Sequence, residues 1–380
     1  MNFVQVSAQG RGVRRALVLA LTLIAPACSL AQPSAPTFDA RVGELGLAIE
    51  LPSVHAPLVN PTLELVESPI EAAAPACIGP EPSGRWAGRS SDDDWARGLY
   101  PARERYPEQW LALTFDDGPH PSRTRVVLDE LARHDLHGTF FLTGHAIKAS
   151  TYPLVQRMVA EGHTLANHGW RHDVSMVEQL DTLAELDAYI ESELELTQIR
   201  VDMALLAQSE ADFRAMDQRV FAGLRWTAER ADQLAAMPEL RLRHRALLDE
   251  RGFAADERPL TLAWVRPPGG NPYVGKRWTT DEREAFARVV NRMQLSVVMW
   301  NHGSGDSDPA LAPEDRMDPL RVAETARKAG RRGGVYVAHD RIDPDAARAL
   351  IQAVVASGAV VVGLEQLRAA KLEASGACAG

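Results

Sequence analysis

The sequence predicts an α/β fold in which parallel strands alternate with helices. Short apolar runs alternate with stretches of helical length near residues 106–169 and again near residues 295–365. Such alternation favours parallel strands joined by crossover helices. Between the two halves, residues 174–258 are rich in Leu, Ala and mixed charge. That composition is typical of helices, so the α/β fold is expected to carry a helical insertion.

Each predicted strand is an apolar run bounded by Gly, Pro or polar residues, and each predicted helix carries one apolar face. The first half contains three strands and two helices, at residues 110–115, 122–135, 138–144, 152–162 and 163–169. The second half contains three strands and two helices, at residues 295–301, 321–330, 333–340, 344–358 and 359–365.

The insertion, residues 174–258, is predicted to form two or three amphipathic helices. Phe213, Met216, Val220 and Leu224 recur in it at near-helical spacing. This apolar stripe fits packing against the rest of the domain, which we favour, or a lid or partner-binding surface.

The N-terminus has the pattern of an export signal. Three arginines, Arg11, Arg14 and Arg15, precede an apolar run and then small residues. We predict a signal peptide at residues 1–31 and an exported protein that is periplasmic, bound to the cell envelope or secreted. The apolar run is too short to span a bilayer, and no other segment has the length for a membrane span. A lipid anchor at Cys28 is the alternative, although the residues before it fit that pattern poorly.

The mature chain is predicted to begin with a Pro- and Ala-rich linker or loosely ordered arm at residues 32–104. A folded domain at 105–372 and a short tail at 373–380 follow. Loss of the signal would leave Cys77 and Cys378, which can form a disulfide in an oxidising compartment or remain as two free thiols. The formal net charge of −10 argues against nucleic acid as a partner.

Two adjacent carboxylates, Asp116 and Asp117, follow the first predicted strand in LALTFDDGPH. The carboxyl ends of parallel strands are where catalytic residues collect in barrels. A buried carboxylate is costly without a partner. One aspartate can cap the next helix, but that explanation leaves the other unexplained.

His168 and His172 follow the third predicted strand, four residues apart in NHGWRH. Two imidazoles at this spacing can converge on one metal, although the pair alone is weak evidence. With a nearby carboxylate they make a set that leaves positions open for water and substrate, as hydrolytic metal sites require.

Three further segments place polar groups near strand ends. Arg266 precedes two prolines that stiffen a loop, in which the N–H of Gly269 can stabilise an oxyanion. His339 ends another strand and is placed for general acid work. Asp306, in a Gly-rich loop, can orient that histidine.

The motifs TFDDGPH, HGWRH, RPPGG, Trp300 with Asp306, and VAHD occur in the order of the five motifs of the polysaccharide deacetylase family, the NodB-homology domain of carbohydrate esterase family four. The chain resembles that family over residues 109–367, apart from the insertion. The resemblance implies a distorted (β/α) barrel. It also implies metal-dependent removal of acetyl groups, usually from N-acetylglucosamine polymers.

The resemblance also implies a function for each motif residue. Asp116 would be the general base, oriented by Arg266, and His339 the acid, tuned by Asp306. The N–H of Gly269 would hold the oxyanion. The metal ligands that it implies are Asp117, His168 and His172. Trp300 and Val337 would line the pocket for the acetyl methyl group.

The sequence departs from the family pattern at Gly169, where a Ser or Thr hydroxyl usually braces the metal loop, and at Gly269, where an aromatic is frequent. These departures leave the ligand and proton-transfer positions intact. We therefore expect an N-deacetylase that uses a divalent metal, with Zn²⁺ favoured, on a glycan such as peptidoglycan, poly-N-acetylglucosamine or a chitin-like polymer. The alternatives are an O-acetyl esterase or small-amide hydrolase, and a catalytically inactive glycan-binding protein.

Overall fold

A computed structural model describes residues 97–100, 106–274 and 277–377 of the chain. The predicted signal peptide, most of the predicted arm, and the cysteines Cys28, Cys77 and Cys378 lie outside the described residues. The predictions of export, lipid anchor and disulfide therefore remain predictions.

Nine strands form one sheet in the described residues. In chain order they are β1 (Gly98–Leu99), β2 (Trp110–Gly118), β3 (Thr139–Leu142), β4 (Thr164–Asn167), β5 (Trp264–Val265), β6 (Ser296–Val298), β7 (His302–Gly303), β8 (Gly334–His339) and β9 (Val360–Val361).

Ten α-helices and two short 3₁₀ turns connect the strands in the described part of the chain. The helices are α1 (Arg123–Arg133), α2 (Tyr152–Ala160), α3 (Leu183–Leu206), α4 (Glu210–Val220), α5 (Arg230–Glu250), α6 (Thr280–Arg292), α7 (Pro313–Arg316), α8 (Pro319–Arg332), α9 (Pro344–Ala356) and α10 (Leu364–Ala377). The 3₁₀ turns are Gly144–Ala146 and Pro268–Gly270.

The sheet is parallel at every recorded strand pair. Its order is β1-β6-β5-β4-β3-β2-β8-β7, with β9 paired to β2. Strands β2 to β6 lie side by side in chain order, which is the winding of a (β/α) barrel. Because β1 and β7 lie at opposite ends of this path, the barrel is distorted. The predicted α/β fold, a distorted (β/α) barrel, is confirmed.

The first strand of the sheet lies before the predicted start of the domain, and the last strand is shorter than the pattern predicts. Gly98–Leu99 pairs with β6, although it lies in the stretch interpreted as an arm. Near the C-terminus the strand β9 has two residues, and Leu364 already begins α10. A two-residue strand has too few positions for period-two alternation to reveal it.

The stretch interpreted as an insertion contains three helices, α3 to α5, as predicted. The first of them, α3, is instead the crossover between β4 and β5, because it packs against α2, α6 and β4. It begins with a capping box formed by Thr182 and Glu185. Its buried residues lie on all sides, so it lacks the amphipathic stripe of a surface helix.

The helices α4 and α5 follow α3 before the chain returns to the sheet at β5. The stripe of Phe213, Met216 and Val220 on α4 is buried, and the ring of Phe213 stacks on Tyr152 at 5.4 Å between centroids. This is the packing arrangement that we favoured over an open apolar surface.

None of the helices in residues 97–100, 106–274 and 277–377 has the length and apolar character that a bilayer crossing requires.

Candidate active site

The predicted site residues meet at the carboxyl edge of the sheet because of its register. Asp116 on β2 lies opposite His339 on β8. Asn167 at the end of β4 lies opposite Val265 on β5. The residues that follow, His168 and Arg266, therefore leave neighbouring strands at the same edge.

Asp116 is buried and forms an ion pair with a fully buried arginine. Nη1 of Arg266 donates to Oδ1 of Asp116 at 2.6 Å and to Oγ1 of Thr114 at 2.9 Å. Nε of Arg266 donates to the carbonyl of Val298 at 2.9 Å. The guanidinium also lies 4.1 Å from the ring centroid of Phe141. These contacts hold one carboxylate oxygen of Asp116 and leave the other, Oδ2, free of the arginine.

Asp117 has a left-handed backbone with φ of 73°. Its Oδ1 lies 3.4 Å from Nε2 of His168 and 3.2 Å from Nε2 of His172. Burial acts to raise the pKa of Asp117, but the contact with His168 and the charges of His168, His172 and His339 outweigh burial. The pKa falls below its usual range, and Asp117 is a carboxylate at neutral pH.

The two histidines direct their Nε2 atoms to that carboxylate. Nδ1 of His168 lies 2.7 Å from the carbonyl of Arg266, so Nδ1 carries a proton and donates it to that carbonyl. Burial, and then the charge of His168, lower the pKa of His172 to about 4. His172 is therefore neutral at pH 7.

These three residues fit a divalent metal. Their ligand atoms lie within 4.8 Å of one another. The buried Oδ1 of Asp117 accepts no hydrogen bond from the described residues. A buried polar atom without a partner is costly, and a cation would satisfy it. A carboxylate and two imidazoles are the donor set that zinc and similar ions prefer.

His339 and Asp306 form the second pair that the sequence predicts. Nδ1 of His339 lies 2.8 Å from Oδ1 of Asp306, and the backbone N–H of His339 donates to Oδ2 of Asp306 at 2.9 Å. Burial acts to lower the pKa of His339, but the hydrogen bond and charge of Asp306, with the charges of Asp116 and Asp117, outweigh burial and raise it to about 9.

The remaining predicted residues lie around this centre with fewer contacts. Gly269 is exposed in the 3₁₀ turn at φ of 62°, and a Cβ there would lie 3.3 Å from Cγ1 of Val174. Trp300 packs against the neighbouring Gly270, whose Cβ would lie 2.9 Å from Cη2 of the indole. Val337 is buried on β8, paired with Thr114.

Sequence analysis did not identify the polar groups that brace the loop at residues 168–172, which contains two of the predicted metal ligands. The N–H of Gly169 donates to Oδ1 of Asn167 at 2.9 Å. The N–H groups of Trp170 and Arg171 donate to Oε2 of Glu193 at 3.1 and 3.0 Å. Gly169 has φ of 76°, where glycine is favoured. The loop is therefore braced by Asn167 and Glu193, without the hydroxyl that Gly169 lacks.

A further residue that was missed is Asp340, directly after His339. It is fully buried, and its Oδ2 accepts from Oγ1 of Thr124 at 2.8 Å. Burial and the charges of Asp117 and Asp116 raise its pKa to about 7, although the Thr124 hydrogen bond opposes this. The motif VAHD contained this residue, whereas no sequence signal marked Glu193 on α3.

Replacing Glu193 by Ala should lower the free energy of unfolding by about 2–5 kcal/mol, because it leaves buried N–H donors unsatisfied and Arg171 without its carboxylate. Metal affinity should fall with it. Urea unfolding and metal titration measure both. The control Glu191→Ala, on the same helix but half-exposed, should change stability by less than about 1 kcal/mol. Equal effects of the two variants would contradict the bracing assignment.

A cavity of about 220 Å³ opens beside the predicted metal ligands. It is lined by Asp117, Thr143, His145, Arg171, His172 and Arg341.

Comparison with known proteins bears on this site. The sequence profile described as polysaccharide deacetylase matches residues 103–206. A chitooligosaccharide deacetylase of Bradyrhizobium is 47% identical over 93 residues, which are 23% of this chain and 42% of that protein. A peptidoglycan-N-acetylmuramic acid deacetylase of Bacillus subtilis is 44% identical over 62 residues, 16% and 13% of the two chains.

A solved structure of a peptidoglycan deacetylase from Bacillus subtilis aligns at 21% identity and a TM-score of 0.43, over 70% of this chain and 94% of that one. The two curated relatives are matched over 42% of their own length or less. The matched residues 103–206 contain Asp116, Asp117, His168 and His172. The resemblance of this chain to the polysaccharide deacetylase family is thereby confirmed over residues 103–206.

Proposed function

We propose that this protein is an exported, metal-dependent deacetylase that hydrolyses N-acetyl groups of an N-acetylglucosamine-containing glycan and releases acetate. The observation that carries the proposal is the convergence of Asp117, His168 and His172 beside the Asp116–Arg266 ion pair. The relatives named as deacetylases of peptidoglycan and of chitooligosaccharides support the reaction class. Export rests on the signal pattern at residues 1–31.

Asp117, His168 and His172 would hold the metal, and we assign zinc because it favours imidazole and carboxylate ligands in four-coordinate sites. When bound, the ion would supply Lewis-acid polarisation of the acetyl carbonyl and lower the pKa of water.

Asp116 is assigned as the general base. Arg266 engages its Oδ1, and Oδ2 lies 3.9 Å from Nε2 of His168. Oδ2 is therefore the oxygen available to take a proton from the attacking water. The buried guanidinium is the charge partner of this carboxylate and fixes its orientation.

His339 is assigned as the general acid. With Asp306 it retains its proton well above neutral pH. As the carbon–nitrogen bond of the amide breaks, His339 gives that proton to the leaving amine. Water and the amide are thereby converted to acetate and a free amino sugar. The N–H of Gly269 is assigned to the developing oxyanion, and Trp300 and Val337 to the acetyl methyl group.

Replacing Asp306 by Asn should move the alkaline limb of the kcat/KM profile to lower pH. The acid form of His339 is the active one, and Asp306 raises its pKa, so removing the carboxylate shortens the range in which His339 is protonated. A cation bound at Asp117 would lower the pKa of His339, whereas Asp306 raises it. The prediction is therefore the direction in which the alkaline limb moves and not the size of the movement. The pH profiles of the variant and of Asp308→Asn, an exposed neighbour, measure it. An unmoved limb would contradict the pairing.

The proposed function is tested by measuring bound metal and acetate release on one preparation of the protein. N-acetylglucosamine oligomers, peptidoglycan and an acetyl ester are assayed before and after chelation and after zinc is restored. Acetate release from the amides that is lost with chelation and returns with zinc would support the proposal. Release from the ester alone would favour the O-acetyl esterase alternative. Stoichiometric metal and glycan binding without release would favour the inactive glycan-binding protein.

A further inference from the structure

A second, larger cavity lies next to the candidate active site. Its volume is about 620 Å³, which is within the range of roughly 300–1,000 Å³ typical of small-molecule sites. One wall comes from residues 145–150 of the barrel, and the other comes from α4 and the loop at residues 221–227. That second wall lies beyond residues 103–206, the part that matches the family.

His145 lies between this cavity and the smaller one beside the predicted metal ligands, because it lines both. Its ring stacks on Trp226 at 5.5 Å between centroids and an interplanar angle of 19°. Its Nδ1 lies 3.0 Å from the carbonyl of Trp170. His145 is therefore a wall residue that the two adjacent cavities share.

The larger cavity is cationic, although the protein as a whole carries a formal charge of −10. Lys148, Arg200, Arg214 and Arg225 line it, and Asp217 is the one carboxylate among its described lining residues. Asp217 is already paired with Arg200 at 2.6 Å. Lys148 and Arg225 form no ion pair with any described residue. Their charge is therefore available to an anionic ligand.

The cavity also presents an aromatic face of the kind that sugar rings use. Trp226 stacks on His145 yet remains 56% exposed. An exposed tryptophan at a pocket is typical of a binding residue, because it offers a large rigid apolar surface at low entropic cost. A sugar ring can lie on this surface while a charged substituent contacts the arginines.

We propose that this cavity is a substrate subsite for an acidic sugar, which bears a carboxylate and adjoins the N-acetylated sugar at the metal ligands. Trp226 packs on the sugar ring, and Lys148 and Arg225 attract the carboxylate. The inference rests on the proposed function and narrows its substrate to acidic glycans. A lactyl-ether sugar and a uronic acid carry the same group, and separate probes distinguish them.

The test is a binding measurement that does not depend on turnover. Calorimetry on the full chain uses three oligosaccharides of equal length: a neutral N-acetylglucosamine oligomer, one with a lactyl-ether sugar, and one with a uronic acid. At least one acidic oligomer should bind about tenfold or more tighter than the neutral oligomer, because charge-assisted hydrogen bonds are the stronger kind. The tighter of the two identifies the source of the carboxylate.

Two variants and a matched control locate the effect. Arg225→Gln and Trp226→Ala alter exposed side chains, so both should fold. Arg225→Gln should remove most of the preference for the acidic oligomer, and Trp226→Ala should raise KM with kcat little changed. The control Arg219→Gln also removes one positive charge, but at a residue of α4 that pairs with Glu250 and does not line the cavity. This variant should keep the preference for the acidic oligomer.

Equal affinity for neutral and acidic oligomers, or equal effects of Arg225→Gln and Arg219→Gln, would overturn the subsite. Failure of the proposed function gives a different result: a preference in binding without acetate release from any oligomer. In that outcome the subsite stands and the deacetylase assignment falls.

Discussion

Replacing Asp116 by Asn is expected to lower kcat by roughly 10³–10⁴-fold while the metal stays bound, because a proton acceptor is lost and the ligand set is not. The amide keeps an oxygen that can accept from Nη1 of Arg266. It cannot take a proton from water. The measurement is kcat on an N-acetylated oligomer, alongside metal content.

The stability of the same variant separates catalysis from folding. Arg266 is fully buried, and Asp116 is its charge partner. Loss of that charge should lower the free energy of unfolding by about 3–5 kcal/mol. This lies at or below the low end of the roughly 5–15 kcal/mol stability of an ordinary domain, so the variant is expected to fold at 25 °C. Full activity in the folded, metal-loaded variant would contradict the base assignment.

Removing Asp117 is expected to abolish metal binding and activity together. Its carboxylate lies within 3.4 Å of both imidazole nitrogens. Loss of an outer partner of a ligand already lowers metal affinity about 10–100-fold, so loss of a ligand should exceed about 100-fold. The melting temperature provides a second measurement: zinc should raise that of the wild type by mass action and leave that of the variant unchanged.

The choice of substitution matters because Asp117 has a left-handed backbone. Alanine is strained at this φ, whereas asparagine tolerates it. Asp117→Asn therefore removes the charge with the least backbone strain, and Asp117→Ala serves as the comparison. A melting temperature of Asp117→Asn that still rises with zinc as in the wild type would contradict the ligand assignment.

The insertion prediction shows where a pattern in the sequence misleads. Residues 174–258 have one helical texture, which predicts a single insertion. In the structure α3 packs against β4, α2 and α6 as part of the barrel, and its Glu193 accepts from the N–H groups of Trp170 and Arg171. Helical composition reports on the backbone of a segment, whereas its place in a barrel depends on which strands it connects.

The sequence by itself determined the fold class of this protein and the side chains that meet at one edge of its sheet. The alternation of apolar runs with helical stretches predicted the parallel sheet, and TFDDGPH, HGWRH, RPPGG and VAHD at the ends of those runs predicted the side chains at its carboxyl edge. This works because strand ends are local features, and parallel pairing brings them to one edge.

Only the tertiary structure decided which atoms are held and which remain free. The engagement of Oδ1 of Asp116 by Arg266 and the proton position on His168 depend on contacts across 150 and 98 residues of chain. The cavity between residues 145–150 and α4 likewise depends on the packing of segments that lie far apart in the sequence. Such contacts leave no periodic trace in the sequence, because they are set by where whole elements pack rather than by the neighbours of any residue.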